Sequence, residues 1–131
     1  MSKANDWVKL PRSSATHGVS IAPRSKVGGG VVVLFDAEGL AASGLRSGAR
    51  VSAELSGDGC TLKLFGLGGP FKLSHDVTSD ERKAGYCGRL AVEGVDAPGG
   101  AMFARSIEKR GEHELLIDFA SSLALTERGA S

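Results

Sequence analysis

The chain has 131 residues, two cysteines and a formal net charge of +1, and these values already exclude several classes of protein. This length suffices for one ordinary domain with its own core, so the disulfide framework of a small secreted domain is not expected. No segment approaches the roughly 20 apolar residues of a membrane helix, and no apolar leader is recognised. The sequence therefore predicts a soluble, cytoplasmic protein with reduced thiols and no membrane partner.

The basic charge is concentrated near the N-terminus. Residues 1–30 carry five basic residues and one acidic residue, a net charge of +4, and the remainder of the chain carries −3. We predict a basic N-terminal arm over 1–25, one β-barrel domain over 26–119 and a fraying C-terminal tail over 120–131. The arm is suited either to phosphate contact or to a role as a solvated tail. Trp7, the only tryptophan, is predicted either to anchor the arm by its buried area or to contact a partner.

The first half of the predicted domain follows the order strand, helix, hairpin. Nineteen glycines among few aromatic residues favour a compact β-rich design with many tight turns. Three glycines precede a β-branched run, an aspartate is placed to cap a helix, and period-two alternation then begins. The predicted elements are a buried strand at 31–35, a two-turn helix between Asp36 and Gly44, and a hairpin of 50–55 and 60–64 around the turn 56–59.

The second half repeats much of this order. The glycine-rich segment 66–70 marks the boundary between halves 26–65 and 71–119. Adding 52 to the residue number carries Val51 to Phe103, Leu55 to Ile107 and Gly59 to Gly111, which indicates a partial internal duplication. The predicted elements are a short strand at 71–73, one helical turn from the cap Ser79, a strand at 89–92, an irregular link at 93–100, and a hairpin of 101–109 and 114–119 around 110–113.

Residues 26–65 resemble the swapped-hairpin β-barrel unit of AbrB- and MazE-type regulators, with a partial second copy at 89–119. Two positions depart from the family pattern, because Asp36 replaces the usual proline and Ala49 the usual aspartate. The resemblance implies a mainly β fold, a small swapped-hairpin-like barrel built from two β-α-β-β-like halves in one chain, with short helices only. It also implies a homodimer, whereas a true duplication would give a monomeric pseudo-dimer. The matching positions are Lys26, Gly28, Val33, Phe35, Gly44, Leu45, Gly48, Val51, Ala53 and Leu55.

The resemblance implies a DNA-binding transcriptional regulator or an antitoxin-type accessory protein. No residue set is suited to reading base edges, so contact mainly with the phosphate backbone is expected. The alternative is a protein-interaction module, such as a phage-type or host-factor-binding accessory protein, that contacts its partner through Trp7 or the polar excursion 74–85 and has no nucleic-acid role. The candidate phosphate-binding residues are Lys9, Arg12, Arg24, Lys26, Arg46 and Arg50.

The sequence offers no pattern typical of an enzyme. The three histidines and two cysteines lie at irregular spacings, without the close ligand pairs of a zinc site. No nucleophile elbow, dinucleotide fingerprint or phosphate-binding loop is present. We therefore predict a binding protein with no catalytic residues, no cofactor and no metal.

Overall fold

The computed structural model describes residues 18–24, 29–46 and 48–125, which contain ten strands and two short helices. The strands are β1 (Val19–Pro23), β2 (Val31–Asp36), β3 (Arg50–Leu55), β4 (Thr61–Phe65), β5 (Phe71–Ser74), β6 (Tyr86–Val92), β7 (Val95–Asp96), β8 (Met102–Lys109), β9 (Glu114–Phe119) and β10 (Ala124–Leu125). The helices are α1 (Ala37–Ser43) and α2 (Ser79–Lys83).

Eight of the strands close into an antiparallel barrel. Their order around the barrel is β1-β2-β6-β5-β3-β4-β9-β8, and β8 pairs with β1 to complete the ring. The remaining strands, β7 and β10, form a separate two-stranded sheet. Full closure leaves no unpaired edge within the barrel, which removes a common route to aggregation. The predicted mainly β barrel with short helices is confirmed.

The two halves of the chain interleave around the barrel. The first half supplies the antiparallel pairs β1–β2 and β3–β4, and the second half supplies β5–β6 and β8–β9. In the barrel these four pairs alternate, so every pair has both of its neighbours from the other half. Neither half can bury its inner face without the other. This alternation within one chain is the swapped-hairpin-like arrangement predicted from the sequence.

The barrel interior is an apolar core formed by alternate residues of each strand. Burial of an aliphatic or aromatic side chain of this kind contributes about 1.5–3 kcal/mol each. In β2 the side chains of both faces are buried, as its continuous apolar run predicted. The fully buried side chains are Val19, Ile21, Val31, Val33, Phe35, Leu62, Leu64, Leu73, Leu90, Val92, Ile117 and Phe119.

Strand β1 belongs to the barrel and not to the arm, to which the sequence analysis assigned it. It pairs with β2 over its whole length and with β8 at Ser20 and Ile21. Pro23 is tolerated because it occupies the last strand position, beyond the residues that pair with β8. By the offset of 52, β1 corresponds to β5, and Ile21 corresponds to Leu73. Both side chains are fully buried, as expected if the partial repeat includes this strand.

A β-bulge in β8 changes the predicted correspondence between the hairpins. The register shifts between Ala104 and Ser106, so one residue of β8 has no opposite partner on β9. Because one extra residue reverses the face of every residue on one side of it, the offset of 52 holds at Ile107 and fails at Phe103. Val51 is only 4% exposed, whereas Phe103 is 54% exposed. The expectation that these two residues occupy equivalent positions is therefore wrong.

Capping residues determine where both helices begin and where α1 ends. The Asp36 carboxylate accepts a hydrogen bond from the Gly39 backbone N–H at 2.8 Å, as predicted. Gly44 ends α1 with a φ of 74°, a left-handed conformation that favours glycine. In α2 the cap is Thr78 and not the predicted Ser79, because Thr78 and Glu81 form a reciprocal capping box.

Candidate binding site at the helix end of the barrel

The barrel has two dissimilar ends. β2 leads into α1, and β6, which runs antiparallel to β2, leads into β7 at the opposite end. We call the end covered by α1, residues 44–46 and 48–49 and the turn 110–113 the helix end. The end covered by β7, β10 and the turn 56–60 is the sheet end.

The helix end contains an open pocket with a volume of about 400 Å³. Its floor consists of apolar side chains that belong to the barrel core or lie against it. Its rim is polar apart from one leucine. A mostly apolar pocket with a few polar groups is the usual form of a binding site. The floor residues are Leu45, Ala49, Val51, Leu64 and Leu115, and the rim residues are Arg46, Arg50, Leu67, Glu112, His113 and Glu114.

One wall of the pocket is a tightly hydrogen-bonded connection between α1 and β3. The Ser43 hydroxyl donates to the Leu40 carbonyl at 2.8 Å and accepts from the Leu45 backbone N–H at 3.1 Å. The Ala49 N–H donates to the Arg46 carbonyl at 2.9 Å, which closes a turn. These bonds fix the Leu45 N–H and the Arg46 carbonyl, so the Arg46 side chain starts from a defined position.

The segment between β4 and β5 forms the facing wall. The Gly66 N–H donates to the His113 carbonyl at 2.8 Å, and the Gly68 N–H donates to the Arg50 carbonyl at 3.1 Å. Gly69 approaches the Val51 backbone so closely that a Cβ there would clash with it. Between these fixed points Leu67 projects to solvent and is 76% exposed. Leu67 is thus held at the pocket mouth with little of its side chain buried.

Three cations form a cluster beside the pocket. Arg50 on β3 lies directly opposite Lys72 on β5, and both side chains are exposed. Arg46 lies in the turn that precedes Arg50. Within residues 18–24, 29–46 and 48–125, none of the three side chains forms an ion pair or hydrogen bond. Like charges directly opposite across a strand pair are destabilising, so the pairing of Arg50 with Lys72 costs folding free energy.

The structure separates the candidate residues that the sequence placed in one phosphate-binding set. Arg46 and Arg50 lie together at the helix end. Arg24 follows β1, which stands four places from β3 in the eight-membered ring and therefore on the opposite wall. There its guanidinium lies 3.8 Å from the Glu93 carboxylate. The candidate residues Trp7, Lys9, Arg12 and Lys26, and the matching position Gly28, fall outside the described ranges.

Sequence reasoning missed Lys72 and Leu67. β5 was predicted as a short strand without partners, and its pairing with β3 follows from the interleaving of the halves, which no local pattern encodes. The exposure of Leu67 was not anticipated because its segment was interpreted only as a boundary between halves. The one available signal was a leucine among glycines, Gly66-Leu67-Gly68-Gly69, where an apolar side chain has few neighbours.

The described parts of the chain contain no group of three or more histidine, cysteine or acidic side chains arranged to hold a metal ion. None of their helices is long and apolar enough to cross a membrane. Cys60 and Cys87 are both free thiols.

Comparison with known proteins gives no relative. No family model, no curated protein and no solved structure matches the chain. The likeness of residues 26–65 to AbrB- and MazE-type proteins therefore stays a prediction, separate from the barrel architecture itself.

Proposed function

We propose that this protein is a nucleic-acid-binding protein, of the regulator or antitoxin-type accessory class, that contacts phosphate groups through Arg46, Arg50 and Lys72. It acts without catalysis and without a cofactor. The observation that carries the proposal is the Arg50–Lys72 pair. A cost in stability at an exposed position is readily explained when the two cations serve an anionic ligand.

The chemistry of the three side chains supports contact with phosphate. Arginine presents a planar fork of donors that matches phosphate oxygens, and lysine supplies a mobile point charge. Arginine can also read guanine, but the amide and acidic side chains suited to adenine and cytosine are absent from the cluster, and phosphate contacts carry no sequence information directly. The expected binding therefore depends mainly on backbone position and shape, as the sequence analysis anticipated.

The closed barrel supports a monomeric pseudo-dimer as the binding unit. One chain already supplies both interleaved halves, so a second copy is not required to complete the core. Light scattering after gel filtration tests this proposal, and a mass of two chains at micromolar concentration would contradict it.

A salt titration tests the phosphate contacts. Binding of a mixed-sequence DNA duplex is measured by fluorescence anisotropy over a range of salt concentrations for the natural protein, Arg50→Ala and Lys72→Ala. Each lost phosphate contact should reduce the slope of log affinity against log salt by about 0.9. Lys63→Ala is the matched control because it also removes a strand lysine, one that is already paired with Glu54 at 3.0 Å.

The control defines the result that would reject the proposal. If Lys63→Ala and Lys72→Ala reduced affinity equally, general charge and not the cluster would explain binding. Absence of binding at low salt would reject a nucleic-acid role altogether.

A further inference from the structure

We propose that the helix-end pocket binds an extended segment of a partner protein that inserts one leucine-sized side chain and places an acidic residue beside Arg46 or Arg50. This gives a specific site to the protein-interaction alternative raised by the sequence. It does not require nucleic-acid binding, because the pocket does not include Lys72, although Arg46 and Arg50 belong to both proposed sites.

At the sheet end, the position equivalent to the helix-end pocket is filled by the chain itself. There the segment after β9 crosses the turn 56–60, and Leu123 is 3% exposed within the barrel core. The Leu123 N–H donates to the Gly59 carbonyl at 2.7 Å, and the Ser122 hydroxyl donates to the Asp58 carbonyl at 2.9 Å. An extended segment that inserts one leucine is thus the way in which this barrel closes an end.

At the helix end no described segment plays this part. Gly111 corresponds to Gly59 by the offset of 52. A Cβ at Gly59 would clash with the Leu123 carbonyl, whereas a Cβ at Gly111 would meet no atom within 4 Å. After β4 the chain continues directly to β5, so Leu67 stays exposed where the other end has a buried leucine. The pocket is therefore open to a segment from another molecule, which would contact the partly exposed Leu45 and Ala49 and the exposed Leu67, because Val51, Leu64 and Leu115 are themselves only 1–4% exposed.

The rim carries Arg46 and Arg50 as well as Glu112 and Glu114, and the two arginines are the groups that a carboxylate of the partner could contact. Arg46 and Arg50 have no anionic partner among the residues that the structure describes, and both border the pocket. A carboxylate on the inserted segment would supply one. Arginine at the edge of an apolar pocket is typical of interface residues that contribute most to affinity.

The probe for the test is a fluorescein-labelled, end-blocked octapeptide of glycine and serine that carries one leucine and one aspartate two positions later. Binding to the full-length protein is measured by fluorescence anisotropy. Replacing the peptide leucine with serine, or the aspartate with lysine, should weaken binding at least tenfold. Equal binding of the three peptides would overturn the proposal.

Two protein variants locate the site. Leu67→Asp should weaken peptide binding at least tenfold and should fold normally, because Leu67 is 76% exposed. Leu125→Asp is the matched control, since Leu125 is 70% exposed at the sheet end, and it should bind the peptide as the natural protein does. Arg46→Glu should prefer the lysine peptide over the aspartate peptide. An unchanged preference, or an equal loss in Leu125→Asp, would overturn the proposal.

Further outcomes assign the pocket to another occupant and would also overturn it. If deletion of residues 1–17 raised peptide affinity tenfold, the chain's own N-terminal segment would be the occupant. If Leu67→Asp abolished a concentration-dependent dimer, the occupant would be a second copy. Lys72→Ala should leave peptide binding unchanged, so that failure here is distinguishable from failure of the nucleic-acid proposal.

Discussion

The two ends of the barrel are built from equivalent parts but are completed differently. At the sheet end the carbonyls of Asp58 and Gly59 accept hydrogen bonds from the chain segment that carries Leu123. At the helix end the carbonyls of Gly111 and Glu112 both accept from the Lys109 ammonium, at 2.7 and 3.2 Å. The carbonyls of both turns are thus satisfied, and among the described residues only the sheet end has a crossing chain segment that buries a leucine.

The two ends of the barrel can therefore satisfy the same backbone groups and still bury different amounts of apolar surface. A lysine side chain can satisfy two turn carbonyls as well as a passing segment can, but it buries far less apolar area. At the helix end Lys109 satisfies the turn carbonyls in place of a crossing chain segment, so the turn is preserved and the pocket stays open. At the sheet end the crossing segment buries Leu123, whereas at the helix end the described residues leave a pocket of about 400 Å³ open.

The largest expected effect is a difference in the free energy of unfolding between variants of Leu123 and Leu67. Leu123→Ala should lower the free energy of unfolding by about 2–5 kcal/mol, since it removes a buried side chain from the core. Leu67→Ala should change it by less than about 0.5 kcal/mol, as is usual at exposed positions. Urea denaturation of both variants measures the difference. Equal effects would mean that Leu123 does not close the sheet end.

The next effect compares the equivalent glycines. Gly59 and Gly111 both have positive φ, 79° and 69°, so alanine at either position should cost about 1–2 kcal/mol of backbone strain. Only at Gly59 would the new Cβ also clash with the Leu123 carbonyl, which should add about 1–3 kcal/mol. Thermal unfolding of the two variants tests this. A larger loss for Gly111→Ala would contradict the proposed equivalence of the ends.

A smaller effect of opposite sign is expected in the cation cluster. Lys72→Glu replaces repulsion from Arg50 with attraction and should raise the free energy of unfolding by about 0.2–1 kcal/mol. The same variant should weaken DNA binding, so stability and binding would change in opposite directions. Lys72→Gln should give an intermediate stability. If Lys72→Glu were less stable than the natural protein, the Arg50–Lys72 contact would not be a cost.

Much of the barrel followed from local sequence patterns. The run at 31–35 predicted a buried strand, Asp36 and Gly44 predicted the limits of α1, and alternation predicted both hairpins. These signals depend on residues close in the chain. The sequence analysis also expected a small barrel built from two halves of one chain, which is the arrangement in which the strand pairs interleave.

The errors arise where distant contacts decide the structure. Residues 120–125 looked like a fraying tail because two leucines among small residues carry no periodicity, yet Leu123 is buried by the turn 56–60. The bulge in β8 follows from its pairing with β9 and left Phe103 outside. The candidate site was predicted only in part, because Arg46 and Arg50 are neighbours in the chain whereas Lys72 joins them only through strand pairing.

The smallest expected effect is an acid sensitivity confined to the sheet-end turn. The Cys60 backbone N–H and the Ser56 hydroxyl donate to the Asp58 carboxylate, at 3.0 and 2.7 Å, and lower the pKa of Asp58 below its usual value. A depressed folded-state pKa stabilises the fold above the unfolded-chain pKa of about 3.9, and this contribution is lost as the pH falls through the folded-state pKa.

Asp58→Asn mimics the protonated carboxyl and tests this dependence. The natural protein should be slightly more stable than the variant at neutral pH, and the difference in urea midpoint should shrink as the pH falls below about 3.9. The effect should be modest because the carboxylate is fully exposed and screened by solvent. A difference for Asp58→Asn that did not vary with pH would show that the turn geometry, and not the carboxylate charge, is responsible.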